Sequence, residues 1–273
     1  MAGDIRQLPI GVFDSGIGGL TVLKALRERL PGQDYLYLGD TARLPYGTKT
    51  AATVERYALQ AVAELVRRGV KAVVVACNTA STAALPALRR AYPMLPVIGV
   101  IEPGAEAAVA ATASHRIAVL ATEGTVRSGA YQQAIRERLP DATIHAVAAT
   151  LFVALAEEGW VDGDVAVAAA RRYLSPLFAS SAAAPDVLVL GCTHFPAMIQ
   201  AIRQVVPGEV RIVDSAVTTA AALARLLEES APARSGMGEV RFLVTDGEER
   251  FARIGPGFLG RPIAAADVER VDL

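Results

Sequence analysis

Nine short runs of valine, leucine, isoleucine and alanine recur along the chain, most of them followed by a stretch with helical spacing. That alternation decides the fold class. The runs predict strands at 10–13, 35–38, 72–75, 97–100, 117–120, 143–147, 187–190, 211–213 and 240–244. Helical patterns occupy 20–30, 53–68, 85–91, 104–113, 126–139, 165–177, 197–205 and 218–228. A strand that is apolar on both faces has to be covered on both faces, so these are strands of parallel sheets with helices on either side. The expected class is α/β. At 273 residues, 52% of them hydrophobic and 20% charged, the chain can fill two domains of ordinary size.

The composition excludes several classes of function. The formal net charge is −1 and no acidic or basic block interrupts the chain, so nothing marks a nucleic-acid or membrane-surface partner. The N-terminal residues carry charges without an apolar signal core, and the uncharged stretch 72–88 contains Asn78, Thr79, Ser81 and Pro86. It reads as strand, turn and helix start rather than a membrane span. A soluble, cytoplasmic protein is expected. Two cysteines are too few for a disulfide framework, and a reducing compartment keeps them as thiols.

Those two cysteines stand in matching surroundings. Val73-Val-Val-Ala-Cys-Asn-Thr-Ala-Ser and Leu188-Val-Leu-Gly-Cys-Thr-His-Phe-Pro share one plan: apolar strand, small residue, cysteine, polar pair, helix. One cysteine at a strand end is ordinarily inert core. Two in equivalent settings, each just before a helix start that favours a thiolate, suggest paired chemistry. Inverting an amino-acid α-carbon needs one group to remove a proton from one face and another to return one to the opposite face. Cys77 and Cys192 are the candidate acid/base pair, with Asp14 and His194 as the groups that tune them. A metal site finds only His115, His145 and His194 and no CxxC or HExxH spacing, so no metal is expected. A cysteine hydrolase would leave the second thiol unexplained. His115 and His145 have no catalytic company and are read as structural or surface residues.

The remaining candidates lie in loops after strands, where open α/β sheets bind their ligands. In Asp14-Ser-Gly-Ile-Gly-Gly-Leu, Thr21 stands where a dinucleotide fingerprint needs its third glycine. The loop is therefore read as presenting Asp14 and Ser15 to a small ligand, with a plain capping turn as the alternative. Tyr46 and Gly47 offer backbone N–H groups to a carboxylate, while Thr79 and Thr193 offer hydroxyls and helix-start amides. Arg43 reads equally well as a substrate cation and as an ion-paired surface residue.

Six segments, in order, resemble the glutamate racemase family over nearly the whole chain. They are Asp14-Ser-Gly-Ile-Gly-Gly-Leu, Gly39-Asp-Thr-Ala-Arg-Leu-Pro-Tyr-Gly, Val75-Ala-Cys-Asn-Thr-Ala-Ser, Ile98-Gly-Val-Ile-Glu-Pro-Gly, Ala121-Thr-Glu-Gly-Thr and Leu190-Gly-Cys-Thr-His-Phe-Pro. The resemblance implies two pseudo-symmetric parallel-sheet domains with the site in the cleft between them. The chain would build residues 1–97 and 211–273 into the first and 98–210 into the second. It further implies L- and D-glutamate as substrates, no pyridoxal phosphate or other cofactor, supply of D-glutamate for peptidoglycan, and a homodimer. Cys77 and Cys192 would be the acid/base pair, and Asp14, Ser15, Tyr46, Gly47, Asn78, Thr79, Thr193 and His194 the substrate site. An acidic residue also assists one thiol in the family; Glu157 and Glu158 both fit. Aspartate or hydantoin racemisation, and amino-acid binding without catalysis, are the alternatives. The tail beyond Glu228 matches no motif.

Overall fold

Ten parallel strands form two separate sheets in the computed structural model, which describes residues 7–181, 183–228 and 236–273. In chain order the first part runs β1 (Ile10–Asp14), α1 (Leu20–Arg29), β2 (Tyr35–Gly39), α2 (Ala51–Arg67), β3 (Ala72–Val75), α3 (Asn78–Ala91) and β4 (Val97–Gly99). Then follow α4 (Ile101–Ala111), β5 (Arg116–Ala121), α5 (Glu123–Ser128), α6 (Ala130–Arg136), β6 (Thr143–Ala148), α7 (Leu151–Glu157), α8 (Gly163–Leu174) and β7 (Val187–Gly191). The chain ends with α9 (Ile199–Arg203), β8 (Arg211–Asp214), α10 (Ser215–Glu228), β9 (Val240–Val244), α11 (Glu248–Ile254), α12 (Pro256–Leu259) and β10 (Val268–Arg270).

The first sheet has the order β10-β9-β2-β1-β3-β4 and the second β6-β5-β7-β8. The central run 2-1-3-4 of one is therefore repeated as 6-5-7-8 in the other. Sheet membership moves both expected crossings. β4 pairs with β3 through Gly99, and β8 pairs with β7 from Arg211, so 98–99 belong to the first sheet and 211–214 to the second. An apolar run shows that a strand forms but not which neighbour it pairs with. Residues 1–6, 182 and 229–235, which the expected domains include, lie outside the described residues.

Both faces of the first sheet are covered, and the strand period of two separates them. Ile10, Val12, Ala72 and Val74 enter a large core that continues into the second sheet, while Phe13, Val73 and Val75 face α2 and α3. α2 starts where the Thr50 hydroxyl accepts from the Thr53 amide, and it buries Val54, Ala58, Ala61, Val62 and Leu65 along one stripe. α3 begins earlier than predicted, at Asn78, and runs through Pro86. The hydrogen bond Pro86 cannot make is offset by burial of Ala80, Ala84, Leu85 and Leu88 on the sheet. The stretch expected as one helix at 126–139 is instead two, divided at Gly129 in the left-handed conformation, φ 68°.

Candidate active site

Each cysteine lies at the point where its own sheet reverses strand order. β1 is followed by β2 on one side while β3 pairs on the other, and β5 stands in the same relation to β6 and β7. Open α/β sheets place ligands in the crevice at such points. Cys77 follows β3 and Cys192 follows β7, and both line one cavity of about 230 Å³ between the sheets.

Cys77 caps α3: its Sγ accepts from the Ala80 amide at 3.4 Å. Burial and the nearby Asp14 carboxyl push its thiol up to about 12, against the opposing pull of the Ser15 hydroxyl and the Ala80 amide. Asp14 itself is fully buried at the end of β1, where Oδ2 accepts from the Gly16 amide at 2.9 Å and Oδ1 has no partner. Burial raises its carboxyl, with His194 and the amides of Gly19, Gly16 and Ser15 pulling the other way.

Cys192 has a different neighbourhood. His194 Nδ1 lies 3.8 Å from its Sγ, His194 Nε2 lies 3.0 Å from Glu157 Oε1, and Arg250 donates to Glu157 Oε2 at 3.0 Å. Burial disfavours the imidazolium, but hydrogen bonds to Cys192 and Glu157 outweigh it and push His194 up to about 10. An imidazolium beside a thiol is the charge that stabilises a thiolate. Burial also works against the Glu157 carboxylate, but bonds from His194 and Arg250 hold its carboxyl below the usual range.

Polar groups complete the walls. Asn78 Oδ1 accepts from the Tyr131 hydroxyl at 2.8 Å, which leaves its buried amide nitrogen without a protein partner at the cavity. Such a donor is available to a ligand oxygen. The Thr79 hydroxyl meets those of Thr122 at 3.0 Å and Thr125 at 3.2 Å, which join α3 to the end of β5 across the gap between sheets. Two close approaches require glycine: a Cβ on Gly18 would lie 2.4 Å from His194 Nδ1, and one on Gly47 would lie 2.9 Å from Thr122 Cβ.

The sequence profile of Asp/Glu/Hydantoin racemase matches residues 10–247. The chain belongs to that racemase family. A curated glutamate racemase of Geobacter metallireducens is 48% identical over 266 residues, covering 97% of this chain and 96% of the relative. The solved glutamate racemase of Thermus thermophilus, in complex with beta-chloro-D-alanine, is 45% identical with a TM-score of 0.86 and covers 98% of each chain. That of Francisella tularensis subsp. tularensis, in complex with D-glutamate, is 35% identical with a TM-score of 0.89 over 98% of each chain.

Within this racemase fold, Cys77, Cys192, Ser15, Tyr46 and Gly47 come together at the cavity, as do Asn78, Thr79, Thr193 and His194. Asp14 does not line it and stands behind Ser15 and Gly16. The Tyr46 side chain turns away and donates to Asp40. Arg43 pairs with Asp40 at 2.7 Å and stacks on Tyr57, so the ion-paired reading holds. Of the two glutamates, Glu157 reaches His194 and Glu158 is exposed. His115 meets Asp141 at 2.7 Å on the surface, and His145 lies on β6; neither lines the cavity. The sequence reading missed Thr150, Val153 and Ala154 around α7, which form one wall, because a seven-residue apolar helix carries no chemical signal.

Proposed function

We infer that the chain interconverts L- and D-glutamate by two proton transfers at the α-carbon, one made by each thiol. The observation that carries the reading is that two thiols from different sheets face one cavity with unlike partners, His194 beside Cys192 and Ser15 beside Cys77. For L-glutamate, the Cys192 thiolate takes the α-proton: the C–H bond breaks and an S–H bond forms. The Cys77 thiol then gives its proton to the opposite face, which completes D-glutamate and leaves Cys77 as thiolate. D-glutamate runs through the same steps in reverse. Substrate carboxylates would be held by the amides of Tyr46 and Gly47, the Asn78 side-chain amide, and Thr79 and Thr193. Asp14 would act from behind on Cys77. Side chains make both transfers, so the scheme needs no cofactor. Enclosure between the sheets strengthens every charge interaction in the cavity.

The wider setting follows the same reading. The two sheets would be the cores of two units that close on the substrate, with D-glutamate supplied to peptidoglycan synthesis. Two free, buried thiols suit a reducing cytoplasm. No helix of the described residues is long and apolar enough to cross a membrane. Pairing with a second copy belongs to the same reading, and sedimentation equilibrium tests it.

Circular dichroism of L- and of D-glutamate solutions tests the activity, with Cys77→Ala alongside. Decay of both signals to zero with the wild type alone supports the scheme. Unchanged signals with folded, reduced protein overturn glutamate as substrate; a panel including aspartate and a hydantoin then finds the replacement.

A further inference from the structure

The Glu157–Arg250 pair joins elements from the two sheets. Glu157 ends α7, which follows β6 of the second sheet, whereas Arg250 lies in α11, between β9 and β10 of the first. The tail that matches no motif thus delivers a cation to the cavity wall. The chain of contacts is continuous: Arg250 Nη2 to Glu157 Oε2 at 3.0 Å, Glu157 Oε1 to His194 Nε2 at 3.0 Å, and His194 Nδ1 to Cys192 Sγ at 3.8 Å. Arg250 leaves Glu157 one oxygen for His194, and that fixes the carboxylate plane. We propose that Arg250 is a positioning residue that holds Glu157 on His194 from the opposite unit, so that the proton partner of Cys192 is assembled only when both units are in place.

The groups around His194 are few. Cys192 shares its loop, Glu157 comes from α7, and the Asp14 carboxyl acts on it from β1. The Phe258 ring of α12 stacks edge-on at 5.4 Å and carries no charge. Arg250 touches none of the reacting atoms and works through Glu157 alone. Because L- and D-glutamate are equally stable, a racemase has equal kcat/KM in both directions, and no variant makes those values differ. Weakening one thiol's partner shows instead in isotope effects. With α-deuterated substrate, the deuterium is removed by Cys192 from the L form and by Cys77 from the D form. Slowing the Cys192 step therefore raises the effect measured from L-glutamate and lowers that from D-glutamate.

The test compares Arg250→Gln and Arg250→Lys with the wild type. The proposal rests on the reading of the chain as a glutamate racemase for its kinetic arm, and NMR titration of the His194 ring supplies an arm that needs no substrate. Only three histidines are present, and His194→Gln assigns the signal. Arg250→Gln is expected to lower kcat about three- to fivefold, as for loss of a partly exposed ion pair. It is also expected to move the His194 titration to lower pH and to split the two isotope effects, while Arg250→Lys restores most of each. An unmoved His194 titration in Arg250→Gln with unchanged unfolding temperature overturns the proposal. A wild type that exchanges no α-deuterium overturns the glutamate reading instead, and the titration still decides the role of Arg250.

Discussion

At the scale of single residues, the two thiols differ by what surrounds them rather than by their own chemistry. Cys77 is held as a thiol by burial and by Asp14, whereas Cys192 shares its pocket with an imidazolium. Under the proposed two-base scheme, replacing either cysteine by serine is expected to lower kcat at least ~100-fold, since each would remove an acid/base group. Glutamate binding, followed by calorimetry, should survive. If Cys192→Ser kept most activity, the two-base scheme would be wrong. The His194 environment also predicts a pH dependence of stability. Its folded value stands near 10 against an ordinary 6.5, so the folded chain binds that proton more tightly. The resulting stability is complete below about pH 6.5 and is lost as pH rises toward 10. Glu157 acts at the acid end: its carboxyl is lowered, so its share is present at neutral pH and lost on acidification. Urea midpoints from pH 6 to 10 should fall less steeply in His194→Gln than in the wild type. Parallel curves would remove His194 from the account.

At the scale of elements, strand ends and helix starts decide where the chemistry sits. β3 delivers Cys77 to the N-cap of α3, and the thiol takes the place of the hydroxyl or carboxylate that caps most helices. α2 uses an ordinary threonine, and Thr50→Ala is expected to cost about 1 kcal/mol in urea unfolding with little change in KM. No loss of stability would mean the cap is replaced by water. Gly18 lies where the β1–α1 turn meets His194, so Gly18→Ala has to displace the ring or the turn. Activity is expected to fall more than stability, measured as kcat beside the unfolding temperature. Much of this was legible in advance. The strands at 72–75 and 240–244 have the predicted bounds: the first is a run apolar on both faces, which has one use in an α/β chain, and the second keeps its apolar pattern around the exposed Arg241. α7, α11 and α12 and the short strand β10 escaped notice, since each is too short to show a period above its neighbours.

At the scale of the molecule, the site exists only where two sheets with the same strand order face one another. Thr21 donates to the Thr193 carbonyl at 2.9 Å, and Thr79 meets Thr122, so each unit holds the other's loops. A ligand that fills the cavity binds the closed pair and not the unfolded chain. Saturating D-glutamate at 100 times its Kd is therefore expected to stabilise the wild type by about 2.7 kcal/mol, read as a rise in unfolding temperature. A rise that is absent in the wild type yet present with another amino acid would redirect the substrate assignment.

The sequence by itself determined the α/β class, the two thiols and half of the cavity wall, because strand ends, helix starts and their polar pairs are local patterns. Three matters waited for tertiary structure. β8 joined the second sheet rather than the first, Glu157 rather than Glu158 turned to His194, and Arg250 crossed from the C-terminal segment to hold it. Each depends on contacts between residues far apart in the chain. Pairing partners, side-chain direction and charge across a cleft are set by how elements dock, and no local spacing encodes that.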